Sequence, residues 1–425
     1  MNWRKPFVYF FLYAGGSRIP AYLKKIRAYE QLDSQQLDYL VEDKLRKLLW
    51  YAYNNVPYYN DELVKCGVIS GNKVILEQFG NIPILTKDII RTQGAKLYSK
   101  HHKSRKSYQN TSGGSTGEPI LFLQDKVYKE WNYANKIYYK LAAGQDIGEK
   151  ELRFWGSDRD LLEGKEKLSI RLRNWLYNRK EFNTFLMSDE EMFRYVSEWN
   201  EYDPCWVEAY VQSIYEFAGF IEKNKLKIKS PKNGILTSAG TLYPEMKETI
   251  QKVFKCRVYN RYGSREVGDI ACGDDTLKIS CWNQHVEIID KKVYITNLNN
   301  YSMPLVRYDI GDIAEFGKSK FELKRVLGRE TQIFKTKSGK MIDGAYFRHA
   351  LFFFDWVSKY QIIQKDYESI IFKIVNNKPP IEEDLRYAED FVKSAMGKNC
   401  IIKWEFVKDI KPTKSGKYLY TISRI

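Results

Sequence analysis

The chain has 425 residues, 44% of them hydrophobic and 29% charged, so it has length for about two to three domains and can bury a sizeable core; wholesale disorder is excluded. Lys and Arg number 69 against 53 Asp and Glu, a formal charge of +16 that points to nucleic acid, anionic lipid or a polyanionic small molecule as partner. The basic residues are spread along the chain, which argues against nucleic acid, and the six cysteines frame no small loops, so a reduced, cytoplasmic setting is expected.

In chain order, Met1–Gly16 comes first, with Trp3, Phe7, Phe10, Phe11, Leu12 and Tyr13 beside Arg4 and Lys5. Its apolar run, Phe7–Ala14, is far short of the ~20 residues a spanning helix needs, and no small-residue cleavage site follows it. A terminal helix packed on its own domain is expected; the alternative is peripheral contact with the inner leaflet of a membrane. Leu40, Leu45, Leu48 and Leu49 predict a helix over Leu37–Tyr53 that stops before Asn54-Asn55-Val56-Pro57. The strongest basic cluster, His101–Lys106, precedes a glycine-rich stretch. A strand over Ile120–Leu123 then leads into an aromatic helix, Val127–Ala143. Strands and helices alternate from Arg153 to Ser230, with an amphipathic helix over Glu208–Lys225. Short apolar strands recur at Gly234–Leu236, Cys256–Asn260 and Val293–Thr296. This alternation predicts a large α/β domain with buried sheets over 1–328. From Gly328-Arg329 onward, residues 329–425 read as hairpin 332–342, helix 344–353, strands 359–365 and 368–375, helix 380–396 and strand 400–407. That order suits a small α+β lid domain.

The stretch Thr111-Ser112-Gly113-Gly114-Ser115-Thr116-Gly117 packs three glycines and four hydroxyls into seven residues. Glycines let backbone N–H groups turn towards an anion, and hydroxyls add donors. It is not a Walker A loop, because no Gly-Lys-Ser/Thr closes it. Four more motifs follow: Thr237-Ser238-Ala239-Gly240-Thr241, Tyr262-Gly263-Ser264-Arg265-Glu266, Arg307-Tyr308-Asp309-Ile310-Gly311-Asp312 with Gly328-Arg329, and Ser415-Gly416-Lys417. In this order and spacing they resemble the adenylate-forming superfamily, most closely its phenylacetate–CoA ligase branch and that branch's capsular-polysaccharide (CapK-like) relatives. Tyr51–Tyr59, Ile82–Arg91 and Leu242–Glu266 resemble the branch's own motifs, and the likeness spans residues 45–425.

The resemblance implies an AMP-forming carboxylate ligase that uses ATP and Mg²⁺, attaching a carboxylate to the α-phosphate and then passing the acyl group on. The acceptor is either coenzyme A or an amine of a sugar or glycan precursor in capsule or surface-glycan biosynthesis. By the same resemblance Thr111, Ser112, Gly113, Gly114, Ser115, Thr116 and Gly117 cradle phosphates, and Ser238, Ala239, Gly240, Tyr262 and Gly263 form the adenine pocket. Glu266 holds Mg²⁺, Asp312 the ribose, and Arg329 ribose or phosphate; Arg307 is either phosphate-facing or structural. Lys417 bridges the carboxylate and the α-phosphate. Gln332 stands where the family has its hinge aspartate or lysine, and no lysine follows Pro119. Some relatives bind zinc near Cys272, Cys281 and His285; with no compact pair and no fourth ligand, zinc is not expected here. Trp155, Trp206, Tyr210 and Tyr215 are candidate walls of the acyl pocket. The rival reading is a non-catalytic, membrane-associated scaffold on the same fold.

Overall fold

A computed structural model describes residues 2–112, 120–155, 168–184, 187–329, 333–339, 341–351, 354–411 and 419–425. It divides into two compact units, one of Met1–Ser112, Ile120–Ile310 and Glu315–Val326, the other holding Gly311–Ala314 and Leu327–Ile425.

The first unit opens with helices α1 (Arg4–Ala14), α2 (Ile19–Tyr29), α3 (Ser34–Asn55) and α4 (Pro57–Lys65). The α3 helix contains Leu37–Tyr53 and starts earlier because Asp33 and Gln36 form a capping box, with bonds of 2.9 and 3.0 Å. It stops because Val56, ahead of Pro57, is held extended; the proline then opens α4 where no N–H is needed. A two-stranded hairpin, β1 (Ile69–Ser70) with β2 (Lys73–Val74), precedes α5 (Lys87–Gln93). Next, β3 (Tyr108–Thr111) pairs antiparallel with β4 (Leu121–Gln124), and α6 (Lys126–Ala142) follows, capped by Asp125.

The alternating region comprises β5 (Glu151–Trp155), α7 (Leu168–Leu176), β6 (Arg179–Asn183), α8 (Asp189–Tyr202), β7 (Trp206–Tyr210), α9 (Val211–Lys223), β8 (Gly234–Ser238), α10 (Pro244–Phe254) and β9 (Val258–Ser264). Then come β10 (Gly268–Gly273), β11 (Leu277–Ile279), β12 (Gln284–Ile289), β13 (Lys292–Asn297), β14 (Tyr308–Phe316) and β15 (Glu322–Arg329). The described strands form an eleven-stranded sheet in the order β12-β13-β14-β15-β11-β10-β9-β8-β7-β5-β6. Strands β6, β5, β7, β8 and β9 run parallel, while β10 is antiparallel to β9 and to β11.

One expectation needs correcting here. The helix predicted over Glu208–Lys225 begins at Val211, and Glu208 lies inside β7, 4% exposed. Cross-strand cations make a buried glutamate tolerable in a strand, and local periodicity cannot show them. Alternation sorts the parallel strands onto two faces. Leu152, Phe154, Val207, Ala209, Ile235 and Val258 pack with Trp199, Phe217, Ile250 and Phe254 of α8, α9 and α10 in one apolar core. The alternate positions carry Glu151, Arg153, Glu208 and Arg261.

In the second unit β16 (Ile333–Lys335) pairs antiparallel with β17 (Met341–Asp343). A four-stranded sheet has the order β20-β19-β18-β21, built from β18 (Val357–Asp366), β19 (Ser369–Asn376), β20 (Ile401–Phe406) and β21 (Thr421–Ser423). Helix α11 (Glu382–Met396) supplies Ala388, Val392 and Met396 to a core with Trp356, Ile362, Ile370, Phe372 and Ile374. Gly344–Leu351 is a 3₁₀ segment where an α-helix is expected over 344–353, because a period of 3.0 cannot be told from 3.6 over so few residues. Fully buried Gln364 replaces a ladder partner: it exchanges bonds of 2.9 and 2.6 Å with the Lys335 backbone and accepts from Ser423 at 3.1 Å. A large α/β unit with a small α+β unit is the fold class that the sequence implies.

Candidate active site

The glycine-rich stretch is rooted in the β3–β4 hairpin. Thr111 pairs with Leu121, and beyond it Ser112 N–H donates to Ile120 O at 3.0 Å. The Ser112 hydroxyl accepts from Ile120 N–H at 3.0 Å, which closes the stem and leaves the hydroxyl hydrogen able to donate elsewhere. Gly113, Gly114, Ser115, Thr116 and Gly117 lie outside the described residues, as do Gln332 and Lys417.

Buried Gln124, at the end of β4, ties this stem to the Tyr262–Glu266 motif. Its amide nitrogen donates to Arg265 O at 2.7 Å and Glu266 O at 3.2 Å, and its oxygen accepts from Asn110 at 3.2 Å. The next carbonyl, Val267 O, accepts from Gln284 at 2.6 Å and Asn297 at 3.0 Å. Three consecutive carbonyls are thus held by buried side-chain amides. Gly263 is required, since a Cβ there would meet Gly268 O at 2.5 Å, and Gly268 has φ +81°. The Glu266 side chain is buried, 7% exposed, and among the described residues its carboxylate has no hydrogen bond or ion pair. A buried carboxylate without a counter-charge suits an oxygen-loving divalent cation, and Mg²⁺ is commonly held by one or two carboxylates together with substrate phosphates.

Ser238 ends β8, paired with Tyr210 of β7, and Ala239 follows with φ +63°, a conformation uncommon for a residue with a Cβ. Such outliers recur at ligand sites, and this one stands at the carboxyl end of a parallel strand, where open sheets bind ligands. Thr237 Oγ1 donates to Tyr259 O at 3.0 Å and locks β8 to β9, the strand that carries Tyr262. Gly240 packs by Val211, 3.4 Å from where its Cβ would stand.

Arg307 is engaged by the protein itself. Its Nε contacts both Glu287 oxygens at 3.1 Å, and Nη1 donates to Ile82 O at 2.7 Å and also to Gly80 O. The side chain is almost wholly buried. In the second unit Asp312 and Arg329 come together, Nε to Oδ1 at 3.0 Å, so the residue implied for ribose and the one implied for ribose or phosphate form one ion pair.

The charged face of the parallel sheet is a feature that sequence reasoning missed. Glu208 contacts Arg261 at 2.7 Å, Arg153 at 3.5 Å and Lys140 at 3.7 Å; Glu151 contacts Lys140 at 2.7 Å and Arg179 at 3.1 Å. Arg153 also reaches Glu181 at 3.5 Å, and Arg261 reaches Asp269 at 3.7 Å. Burial pushes the Glu208 carboxyl up, but Arg261, Arg153, Lys140 and Lys136 outweigh it and hold it well below the usual range. On α6, Lys136 lies one turn before Lys140. Asp269 favours its charge, but burial and the nearby Arg261 and Arg153 lower its pKa below the ordinary lysine value. The available signal was the alternation Glu151-x-Arg153-x-Trp155 and Trp206-x-Glu208-x-Tyr210, charges at strand period between apolar residues.

Two of the expected pocket walls meet at the end of this face: the Trp155 and Tyr210 rings lie 4.2 Å apart, with the Arg153 guanidinium 4.7 Å from the Trp155 ring. Trp206 is fully buried against Tyr259, and Tyr215 packs on the apolar core. Among the described residues no three His, Cys, Asp or Glu side chains gather as a metal site. Cys272 and Cys281 are pushed by burial to about 12 and about 11, and burial lowers His285 to about 4.

The fold is that of the adenylate-forming ligases. The structure superposes on a 2-hydroxyisobutyryl-CoA ligase solved in the postadenylation state with R3-HIB-AMP (TM-score 0.67, 15% identity, 92% of this chain and 90% of that one). It also superposes on the amide bond synthetase McbA from Marinactinospora thermotolerans (TM-score 0.50, 12% identity, 73% and 66% of the two chains). At the level of sequence, residues 334–424 match the family described as the CapK C-terminal domain. The chain is similar to Protein CapK of Staphylococcus aureus, 26% identical over 399 residues that cover 88% of this chain and 86% of that protein.

Proposed function

We propose that the protein activates a carboxylic acid with ATP. A carboxylate oxygen bonds to the α-phosphorus as the bond to the β-phosphate oxygen breaks, giving an acyl-adenylate and pyrophosphate. An acceptor S–H or N–H then attacks the acyl carbon, AMP leaves, and the acceptor proton passes to solvent. The observation that carries this reading is buried Gln124, which ties the stem of the glycine-rich stretch to the backbone of Glu266, whose carboxylate has no partner among the described residues. A backbone held in place beneath both motifs suits a reaction that needs positioning and charge stabilisation more than covalent catalysis.

Glu266 would hold Mg²⁺, whose charge offsets that of the phosphates. Thr111 to Gly117 would donate to the phosphates, Ser238 to Gly240 and Tyr262-Gly263 would form the base pocket, and Asp312 and Arg329 would serve ribose. Lys417 would offset the repulsion between substrate carboxylate and ATP. The charged sheet face ending at Trp155 and Tyr210 favours a hydroxylated or anionic acid over a plain aliphatic one, since apolar acyl chains gain nothing beside buried ions. The 2-hydroxyisobutyryl-CoA ligase and the amide bond synthetase make coenzyme A and an amine the two acceptors to try. The similarity to Protein CapK, with the capsule-related branch that the motifs resemble, supports including a sugar or glycan amine among the amines tried.

The test is acid-dependent exchange of pyrophosphate into ATP over aliphatic, aryl, hydroxy, dicarboxylic and amino acids. Exchange with one class establishes adenylation and names the acid. Silence across the panel with ATP bound would favour the scaffold reading instead.

A further inference from the structure

The α1 helix is a docked helix with a bare outer side. Asn2 Nδ2 donates to Ile147 O at 2.7 Å, Lys5 pairs with Asp146 at 2.6 Å, and Gly148 admits the helix so closely that a Cβ there would stand 2.6 Å from Arg4 Cβ. Of its residues only Val8 is buried. Trp3, Phe7, Phe10, Phe11 and Tyr13 are 44–65% exposed. From far along the chain, α7 adds Leu172 and Trp175, 57% and 58% exposed. The two helices are joined: the Trp3 and Trp175 rings lie 5.6 Å apart, and Arg4 donates to Trp175 O at 3.3 Å. The result is a continuous aromatic surface from two segments that the sequence keeps apart.

The described segments that form it, with the α2 helix that follows, carry one sign of charge. Residues 2–29 include Arg4, Lys5, Arg18, Lys24, Lys25 and Arg27 with no acidic residue, and α7 adds Arg171 and Arg173, again with none. Among the described residues, Asp146 forms an ion pair with Lys5 of α1. Among the described residues no helix is long and apolar enough to cross a membrane. A symmetric dimer would bring the same basic patch face to face with itself, a like-charge juxtaposition that opposes pairing. Aromatic side chains flanked by Lys and Arg on a short helix have instead the composition of an interfacial segment, and the charge complements acidic headgroups.

We propose that the joined outer faces of α1 and α7 are a docking surface for an anionic lipid bilayer. The aromatic rings enter the headgroup boundary and the surrounding Arg and Lys side chains meet lipid phosphates. This rests on the geometry of the two helices and not on the reaction proposed above, so either can fail alone.

The test is cosedimentation of the full chain with vesicles of phosphatidylcholine alone or mixed with phosphatidylglycerol, with tryptophan emission as a second readout. Binding to the mixed vesicles should be about 10-fold or more tighter than to phosphatidylcholine, weaken with salt, and shift emission to the blue. Phe10→Ser with Phe11→Ser, both exposed and so expected to leave the fold intact, should lower binding about 10-fold. Arg171→Glu with Arg173→Glu on α7 should lower it about as much and serves if the first pair misfolds. Equal binding to both vesicle types, or both variant pairs binding like wild type, overturns the proposal. So does a dimer that the Phe10 and Phe11 changes disperse while vesicles bind nothing, or retention on single-stranded nucleic acid in place of vesicles.

Discussion

Glu266 and Gln124 separate two kinds of contribution at the scale of the residue. Glu266 carries a buried charge that nothing among the described residues matches, so Glu266→Gln should cost little stability while lowering pyrophosphate exchange by about 10²–10³-fold, the size of removing one electrostatic stabiliser. Thermal unfolding beside the exchange assay checks both halves. Gln124 is buried, and it holds two carbonyls of the Tyr262–Glu266 segment. Gln124→Leu leaves those carbonyls unmet and should destabilise by about 1–3 kcal/mol. Exchange should fall with it, and Gln124→Asn should rescue little because the shorter amide cannot span both partners. The motif residues Tyr262, Gly263 and Glu266 were legible in the sequence through their order. Gln124 was not, because an amide at the end of a strand carries no periodic signal and its partners lie 141 and 142 residues away.

Two elements meet charge in the core. On α3, Lys44 Nζ donates to Trp282 O at 2.8 Å and Asn299 Oδ1 at 3.0 Å, and burial lowers its pKa from 10.5 to about 7. Between about pH 7 and about 10.5 the unfolded chain still binds this proton while the folded chain has released it. Stability from this group therefore rises with pH through that window and is flat below it. Denaturant midpoints should show wild type gaining on Lys44→Met as pH rises through the window and not below it. On α6, Lys136 faces the ionic side of the parallel sheet, and Lys136→Met should lower exchange for hydroxy or dicarboxylic acids about 10-fold or more while sparing any aliphatic acid that reacts. An exchange panel run on both proteins decides it. Element positions were mostly legible: α3, α6, α11 and the small sheet's first three strands fall where periodicity and caps put them. Glu208 did not, because its charge reads locally as the start of a polar helix face, and only Arg261 and Arg153 of other strands and Lys140 of α6 account for its burial.

At the scale of the molecule, the two units divide the proposed chemistry. Glu266 and Tyr262 belong to the large unit, while Asp312, Arg329 and the C-terminal segment belong to the small one. Lys417→Ala should reduce exchange about 10²-fold or more and leave ATP binding within a few-fold, because its charge is needed when carboxylate and phosphate approach. Isothermal titration and exchange on the same preparation separate the two. By itself the sequence determined the α/β class, the order of the motifs and the small C-terminal domain. These are written in local periodicity, glycine placement and turn chemistry, which act over a few residues. Only the tertiary structure decided that Arg307 is held by Glu287 and backbone carbonyls, that one sheet face is ionic, and that Trp3 lies against Trp175. Those facts depend on ion pairs, hydrogen bonds and ring contacts between distant segments, and their strength is set by burial and geometry that exist only once the chain has folded.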